Sequence, residues 1–295
     1  MHASTRLRAM IERGELVCAP GAPDSLTARL VAQAGFPAVY MTGFGATASR
    51  LGTPDIGLLT QTEMTEHARN MVRATDLPVI ADADTGYGGP SNIHRTVREY
   101  QQAGVAAIHL EDQIAPKRCG QMAGVQLMPA AEAASRIALA CKVRDEAPPD
   151  QRLLIIARTD ALAAAGVDEA LARARRYAAA GADLMFVDGV KTVAEVEAIA
   201  AGLSGPKVVS LVDGTEASRL HRDELQAMGF AVVLYAVTAL FAVTHAAQQA
   251  LAALQAAGGP VAAPPISYGE FCALVDLPMH QALDDTYGAK NGSAG

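Results

Sequence analysis

The segment Gln102-Ala-Gly-Val-Ala-Ala-Ile-His-Leu-Glu-Asp-Gln113 carries the pattern that decides the fold. A helical stretch ends at Gly104, because glycine readily takes the left-handed backbone conformation that caps a helix. The mainly apolar run Val105–Leu110 follows and has the length of a strand. It lacks clean alternation of polar and apolar residues, as expected of a parallel strand buried on both faces. The segment therefore predicts a helix followed by an interior strand of a parallel sheet.

The same order of helix, glycine and apolar run recurs along the chain, and helical stretches such as Val167–Ala180 and Val193–Ala201 separate the runs. The predicted strands are Glu15–Ala19, Pro37–Met41, Pro78–Asp82, Val105–Leu110, Leu153–Arg158, Ala182–Val187, Lys207–Leu211 and Phe230–Leu234. A series of βα units of this length favours the α/β class and a (β/α)8 TIM barrel. A doubly wound sheet is the alternative. No Gly-x-Gly-x-x-Gly motif follows the first strand, which argues against a dinucleotide-binding fold.

Polar residues follow the predicted strands at their carboxyl ends, where a barrel enzyme has its active site. They are Thr42, Gly43, Asp82, Asp84, Glu111, Arg158, Asp188, Ser210 and Tyr235. The apolar runs identify the strands by themselves, without these residues. Their positions therefore support the barrel independently and indicate an enzyme.

Two segments depart from a plain barrel. The connection Asp112–Pro129 is long for a βα loop and rich in Pro, Gly, Lys and Arg, which is typical of an active-site lid. After Gly259, a Pro/Ala linker leads to an amphipathic helical stretch, Tyr268–Leu283. We therefore divide the chain into a barrel domain, residues 1–258, and a linker with a C-terminal helical extension, residues 259–295. The apolar face of the extension needs a partner within the chain or on another subunit.

The composition excludes several classes of partner. The chain has 24 Lys+Arg against 31 Asp+Glu, a net charge of −7, and no block of like charges, which argues against nucleic-acid and anionic-membrane partners. The first residues lack the apolar core of a signal peptide, and no apolar run reaches the roughly 20 residues that span a bilayer. The 4 cysteines have no zinc-type spacing. We therefore expect a reducing, cytoplasmic setting.

Two carboxylate pairs follow neighbouring predicted strands. Asp82 and Asp84 are two residues apart, so on an extended strand end both side chains point the same way. Collected carboxylates suit a hard divalent cation, Mg²⁺ or Mn²⁺. In the second pair, Glu111 and Asp112, one residue could complete the metal shell while the other orients Lys117. The alternatives are helix caps and, for the first pair, the similar nucleophile motif of haloacid-dehalogenase phosphatases, which lies nearer the N-terminus.

The predicted lid contains a thiol in a cationic setting. Cys119 lies between Arg118 and Gly120, two residues from Lys117. Nearby cations lower the pKa of a thiol, and glycine gives a loop freedom to move. The pattern favours a general acid/base on the lid. An incidental exposed thiol is the alternative.

Arg158 ends the fifth predicted strand. An arginine at this place can bind a substrate carboxylate through two parallel hydrogen bonds. The alternative is an internal salt bridge with Glu111 or Asp188. On the neighbouring strand, His109 is interpreted as a hydrogen-bonded interior group rather than as a metal ligand.

Three motifs, in this order and spacing, resemble the isocitrate lyase/phosphoenolpyruvate mutase superfamily: Asp82-Ala-Asp-Thr-Gly-Tyr-Gly-Gly89, Glu111-Asp-Gln113 and Lys117-Arg-Cys-Gly120. The likeness extends from Pro20-Gly-Ala-Pro-Asp24 to Leu234-Tyr235 and is greatest for the methylisocitrate lyase-like branch. The mutases and phosphonopyruvate hydrolases typically lack the cysteine, so its presence favours a carbon–carbon lyase. The resemblance implies a (β/α)8 barrel whose C-terminal helix swaps between subunits of a dimer of dimers.

The resemblance also implies roles for individual residues. Asp55, Asp82, Asp84 and Glu111 would hold Mg²⁺ directly or through water; Tyr40, Thr42, Gly43, Gly120 and Arg158 would position the substrate; Lys117 and Cys119 would lie on the gating loop. The chain departs from the lyase pattern at Gln121, Val125, Asp188 and Ser210, where His, Lys or Arg, Glu and Asn are usual. Asp188 and Ser210 lie among the residues that would hold the distal carboxylates. The departures favour a smaller or differently substituted malate-type acid over methylisocitrate.

The expected activity is therefore Mg²⁺-dependent cleavage of a 2-hydroxy dicarboxylate into a 2-oxo acid and a carboxylic acid. Cys119 would protonate the carbanionic carbon, and Arg158 would stabilise the negative charge. Oxaloacetate decarboxylation or hydrolysis is an alternative within the same superfamily. A non-catalytic barrel that binds a dicarboxylate is an alternative of another class. The Lys117/Cys119 pair argues against it, because simple binding needs no thiol.

Overall fold

A computed structural model describes residues 1–260 and 265–288. The chain forms two compact units, one from Met1 to Ala242 and one that begins at Val243. The predicted bounds of the two domains, residues 1–258 and 259–295, stay a prediction. Part of the predicted Pro/Ala linker, residues 261–264, lies outside the described residues.

Eight parallel strands form a closed barrel in sequence order within the first unit. They are β1 (Val17–Ala22), β2 (Val39–Met41), β3 (Val79–Asp82), β4 (Ala107–Glu111), β5 (Leu154–Thr159), β6 (Leu184–Val187), β7 (Lys207–Leu211) and β8 (Val232–Tyr235). The barrel closes between β1 and β8, which pair from Val17 with Val232 to Pro20 with Tyr235. The predicted (β/α)8 barrel is confirmed. The doubly wound alternative is wrong, because each of the eight strands pairs with two neighbours and the sheet has no edge strand.

Helices alternate with the strands, as expected of a barrel enzyme. They are α1 (Ala3–Glu12), α2 (Ser25–Gln33), α3 (Gly43–Leu51), α4 (Gln61–Ala74), α5 (Pro90–Ala103), α6 (Ala130–Asp145), α7 (Ala161–Ala165), α8 (Val167–Ala179), α9 (Val193–Gly202), α10 (Arg222–Ala227) and α11 (Thr238–Ala257). Gly104 caps α5 in the left-handed conformation, with a φ of 85°, as its sequence position predicts.

Every predicted strand overlaps an observed one, and the clearest difference lies at β1. The prediction ends at Ala19, whereas the strand continues through Pro20 and Gly21. A Pro-Gly pair ordinarily indicates a turn. Here glycine is needed inside the strand, because a Cβ at Gly21 would clash with the carbonyl oxygen of Ala236. That neighbour lies far along the chain, so the strand end could not be placed from local sequence.

Side chains fill the interior of the barrel. Tyr40, Ile80, Ile156 and Phe186 belong to one buried cluster drawn from several strands, and Leu7 of α1 joins it. Two further clusters contain other strand residues together with residues of the helices. The strands are thus buried on both faces, which explains their weak alternation. Polar side chains are left to the strand ends.

The second unit contains the remainder of α11 and two short helices, α12 (Tyr268–Leu274) and α13 (Leu277–Tyr287). The single predicted stretch Tyr268–Leu283 is therefore two helices. The break lies at Asp276, whose φ of 60° is left-handed and cannot continue a helix. Within the described residues, no helix combines the length and the apolar character that crossing a membrane would require.

Candidate active site

A cavity of about 140 Å³ lies at the carboxyl ends of the barrel strands. It is lined by Tyr40, Thr42, Phe44, Asp55, Asp82, Cys119, Gln121, Arg158, Phe186, Asp188, Ser210, Val212, Ala236, Val237 and Phe241. Most of the predicted site residues are thus brought together. The others, Gly43, Asp84, Glu111, Lys117 and Gly120, are not part of this lining, but each contacts a residue that is.

Lys117 reaches from the lid into a group of carboxylates. Its side chain is buried, with 4% exposure, and its Nζ lies 2.8 Å from Asp55 Oδ2 and 2.6 Å from Asp84 Oδ1. Burial alone would lower the pKa of Lys117, but the carboxylates of Asp84, Asp82 and Glu111 raise it well above its ordinary value. The ammonium therefore stays charged and ties the lid to the loops after β2 and β3.

The predicted metal ligands are not gathered around one point. Among the described residues, no group of three or more His, Cys, Asp or Glu side chains is arranged to hold a metal ion. Their chemistry nevertheless fits a cation. Both carboxylate oxygens of Glu111 are buried and accept no hydrogen bond. Burial raises the pKa of Glu111 well above its usual range. Burial also raises the pKa of Asp84 to about 6, although the nearby Lys117 ammonium acts in the opposite direction. These oxygen-only donors suit a hard divalent ion.

Arg158 is paired with carboxylates inside the site. Its Nη2 lies 2.8 Å from Asp160 Oδ1 and 2.6 Å from Asp188 Oδ2, and its Nε lies 3.3 Å from Glu111 Oε2. The internal salt bridge considered as an alternative is thus present. Asp160 was missed by sequence reasoning, although its position two residues after Arg158 at a strand end was the available signal. Gly120 packs against this group, and a Cβ there would clash with Asp160.

The prediction left open which of Glu111 and Asp112 orients Lys117, and Asp112 does not contact it: Lys117 pairs with Asp55 and Asp84. The Asp112 carboxylate accepts hydrogen bonds from Thr159 Oγ1 (2.7 Å), from the Asp160 backbone N–H (3.0 Å) and from Arg173 and Tyr177 of α8. The physical reason is strand alternation: neighbouring residues point to opposite faces, so only one of a consecutive pair faces the barrel mouth. Asp112 instead fixes the end of β5, next to Arg158.

The pKa of Cys119 is raised, not lowered as predicted from its cationic neighbours. Burial raises the pKa of the thiol to about 11, and Asp188 and Asp55 act in the same direction. The two expected cations contribute little: Lys117 is compensated by carboxylates, and the exposed Arg118 points toward the Ala123 carbonyl. The thiol therefore holds its proton near neutral pH, which suits a proton donor better than a base.

The wall formed by β2 to β4 holds the remaining polar groups in place. The Tyr40 hydroxyl lies 3.0 Å from Nε2 of His109, whose Nδ1 lies 3.6 Å from Asp82. His109 is thus hydrogen-bonded in the interior, as predicted, and burial lowers its pKa to about 4, which keeps the ring neutral. Thr42 caps α3, and a Cβ at Gly43 would clash with Asp82.

An apolar part of the cavity lining was not predicted. Phe44, Val212, Val237 and Phe241 form it. Val212 directly follows β7, and Val237 comes soon after β8, which was the signal in the sequence. Near them, Ser210 is buried at the end of β7, and the Gln121 amide nitrogen is buried without a hydrogen-bond partner. The site therefore combines charged groups with an apolar part of the lining.

Residues 7–255 match the family model for phosphoenolpyruvate phosphomutase. The 2,3-dimethylmalate lyase of Eubacterium barkeri is 42% identical over 246 residues, which cover 83% of this chain and 84% of that protein. The 2-methylisocitrate lyase of Bacillus subtilis is 39% identical over 244 residues, which cover 83% of this chain and 79% of that protein.

Solved structures share the complete fold. Oxaloacetate acetylhydrolase bound to the inhibitor 3,3-difluorooxalacetate matches with a TM-score of 0.92 and 33% identity, over 98% of each chain. Phosphonopyruvate hydrolase in complex with oxalate and Mg²⁺ matches with a TM-score of 0.88 and 31% identity, over 97% of this chain and 99% of that one. Carboxylic acid ligands and Mg²⁺ thus occur in enzymes with this fold.

Proposed function

Because this chain belongs to the phosphoenolpyruvate mutase/isocitrate lyase superfamily, we propose that it is a Mg²⁺-dependent carbon–carbon lyase for a 2-hydroxy dicarboxylate. Its products would be a 2-oxo acid and a carboxylic acid. One observation carries the proposal: the protonated thiol of Cys119 lines the same cavity as Arg158 and Asp82. A proton donor, a carboxylate-binding cation and acidic metal ligands are the groups that such a cleavage needs.

The metal would be held by Asp55, Asp82, Asp84 and Glu111. When bound, Mg²⁺ supplies the positive charge that stabilises the anionic oxygens of the substrate and of the 2-oxo acid product; Mn²⁺ is the alternative. Support comes from the buried carboxylate oxygens of Glu111, which accept no hydrogen bond, and from the Mg²⁺ in the related phosphonopyruvate hydrolase.

The chain's own residues would bind the acid and move the proton. Arg158 would bind a substrate carboxylate through its planar guanidinium. As the carbon–carbon bond breaks, a general base takes the proton from the substrate hydroxyl oxygen, and the carbon that carries this oxygen becomes the carbonyl carbon of the 2-oxo acid; the same proton later passes to the Cys119 thiolate. The electron pair of the broken bond remains on the other carbon, which takes the proton of Cys119. Further positioning groups would be Tyr40, Thr42, Gly43, Gly120, Gln121, Asp188 and Ser210, while Lys117 would fasten the lid.

The apolar part of the cavity lining favours a substrate with a hydrocarbon substituent. Among the described residues that line the cavity, Arg158 is the single cationic side chain. The metal and Arg158 would bind the two carboxylates of a malate, and the third carboxylate of methylisocitrate would have no cationic side chain in the described lining. Burying an unpaired carboxylate is strongly unfavourable. Burying a small hydrocarbon group is instead favourable, by about 0.8 kcal/mol per carbon. We therefore place alkyl-substituted malates ahead of methylisocitrate. The similarity to 2,3-dimethylmalate lyase supports this order.

The test is a screen of malate, alkyl-substituted malates, methylisocitrate and oxaloacetate with Mg²⁺, with products identified by mass spectrometry. We expect an alkylmalate to give a 2-oxo acid and a carboxylic acid, and methylisocitrate to react more slowly. Both reactions should stop when EDTA is added. Absence of cleavage of every hydroxy acid would contradict the proposal.

Oxaloacetate hydrolysis is the second candidate, favoured by the TM-score of 0.92 to oxaloacetate acetylhydrolase. It requires the same site but breaks a different bond. The screen separates the two functions, because hydrolysis of oxaloacetate yields oxalate and acetate, whereas its decarboxylation yields carbon dioxide. A non-catalytic dicarboxylate-binding barrel would bind these acids and turn over none of them.

We further propose that the protein is a cytoplasmic dimer of dimers in which C-terminal helices swap between subunits. Its C-terminal helices expose large apolar side chains, including Tyr268, Phe271, Met279 and Leu283, which an isolated chain would leave in water. We expect native mass spectrometry to give the mass of four chains, and truncation after residue 258 to abolish the tetramer. A monomer at micromolar concentration would contradict this assembly.

A further inference from the structure

Gln113, the last residue of the Glu-Asp-Gln motif, is buried although it does not line the cavity; its exposure is 1%. Its amide group forms two hydrogen bonds with the backbone of one lid residue, Arg118. The Gln113 Nε2 donates to the Arg118 carbonyl oxygen at 2.8 Å, and its Oε1 accepts from the Arg118 N–H at 2.9 Å. One side chain thus satisfies both polar backbone groups of the residue between Lys117 and Cys119.

The backbone around Gln113 is itself fixed. Gln113 forms an isolated antiparallel bridge with Leu127. The Ile114 N–H donates to the Gln126 carbonyl at 2.8 Å, and the Met128 N–H donates to the Asp112 carbonyl at 2.9 Å. The two ends of the lid are therefore joined at its base. The Gln113 side chain extends from this joined base to the part of the lid that enters the site.

The residues on either side of Arg118, Lys117 and Cys119, both reach into the site. Lys117 pairs with Asp55 and Asp84, and the Cys119 N–H donates to the Asp55 carbonyl at 3.1 Å. The Arg118 side chain is exposed, does not line the cavity and donates to the Ala123 carbonyl. Fixing the Arg118 backbone therefore fixes the backbone positions from which the side chains of Lys117 and Cys119 extend.

We propose that Gln113 is a positioning residue that holds Lys117 and Cys119 in the site. An amide is the side-chain group suited to this task, because it presents one acceptor and one donor side by side. A glutamate of the same shape keeps the acceptor but, when ionised, has no donor for the Arg118 carbonyl. Methionine keeps the approximate volume and offers neither partner. The kinetic part of the inference rests on the proposed function, whereas the placement of the thiol does not.

The test compares Gln113→Glu and Gln113→Met with Gln126→Met, which replaces an exposed glutamine on the same lid. The rate of Cys119 alkylation by iodoacetamide is measured by peptide mass spectrometry without metal or substrate. We expect the rate to rise about tenfold in Gln113→Met and less in Gln113→Glu, because a released lid exposes the thiol. With substrate, we expect kcat to fall about 10- to 100-fold and KM to change much less. Gln126→Met should match the wild type in both measurements.

Circular dichroism and thermal unfolding identify the folded variants. If Gln113→Met is too unstable to measure, Gln113→Glu alone provides the test. Wild-type alkylation and kcat in a folded variant would overturn the inference. Faster alkylation of the Gln113 variants would support the positioning role of Gln113. If the Cys119→Ser enzyme were also fully active, Cys119 would be excluded as the proton donor. The two failures are thus distinguishable.

Discussion

Replacing Cys119 by serine is expected to lower kcat by about 10²- to 10⁴-fold and to leave KM nearly unchanged. The thiol lines the cavity, and burial raises its pKa to about 11, so it carries a proton when the carbanion forms. A serine hydroxyl has a similar shape but is a much weaker acid, and transfers its proton more slowly. The measurement is steady-state kinetics at saturating Mg²⁺ on the acid that the screen identifies.

Cys18→Ser is the matched control for this substitution. Cys18 is a half-buried thiol within β1 that does not line the cavity, so its replacement should leave kcat within about twofold of the wild type. A Cys119→Ser enzyme with similar near-normal turnover would exclude the thiol as the proton donor. A large rise in KM at unchanged kcat would instead indicate a binding role.

The strands were predictable because a local sequence pattern identifies each of them. Glycine caps such as Gly104 and Gly181 mark where a helix stops, and a short apolar run marks a strand buried on both faces. Closure of the barrel could not be derived in this way. It depends on the pairing of Val17 with Val232, two residues that no local pattern relates.

Many of the residues that form the candidate site were predictable from the sequence. The ion pairs and hydrogen bonds between their side chains were much less so. Residue type and position at strand ends identified Asp82, Glu111 and Arg158. They did not show that Arg158 pairs with Asp160, or that Asp112 turns toward α8. Such pairings depend on side-chain direction across neighbouring strands.

The pKa of Cys119 illustrates the same limit for electrostatics. Sequence proximity to Lys117 and Arg118 predicts a lowered pKa. In the folded chain, carboxylates compensate Lys117 and solvent surrounds Arg118, so burial dominates and raises the pKa of the thiol. The sign of the shift depends on which neighbours are buried with the group, which only the folded structure determines.

Asp84→Asn is expected to abolish Mg²⁺-dependent turnover, with a loss of at least about 10³-fold, since a proposed metal ligand loses its charge. Asparagine is the matched substitution because Asp84 has a φ of 46°, and Asn tolerates this left-handed conformation as Asp does. Alanine at this position would add backbone strain to the loss of the carboxylate. Steady-state turnover over a range of Mg²⁺ concentrations measures the effect.

A second measurement tests the metal site without catalysis. A ligand that binds only the folded state at about 100 times its Kd stabilises that state by about 2.7 kcal/mol, so Mg²⁺ should raise the wild-type Tm by several degrees. Asp84→Asn should lose most of this increase. Asp223→Asn, which alters an exposed carboxylate outside the cavity, should keep it. Turnover that persists in EDTA, or an Asp84→Asn variant that Mg²⁺ stabilises as fully as the wild type, would remove Asp84 from the metal site.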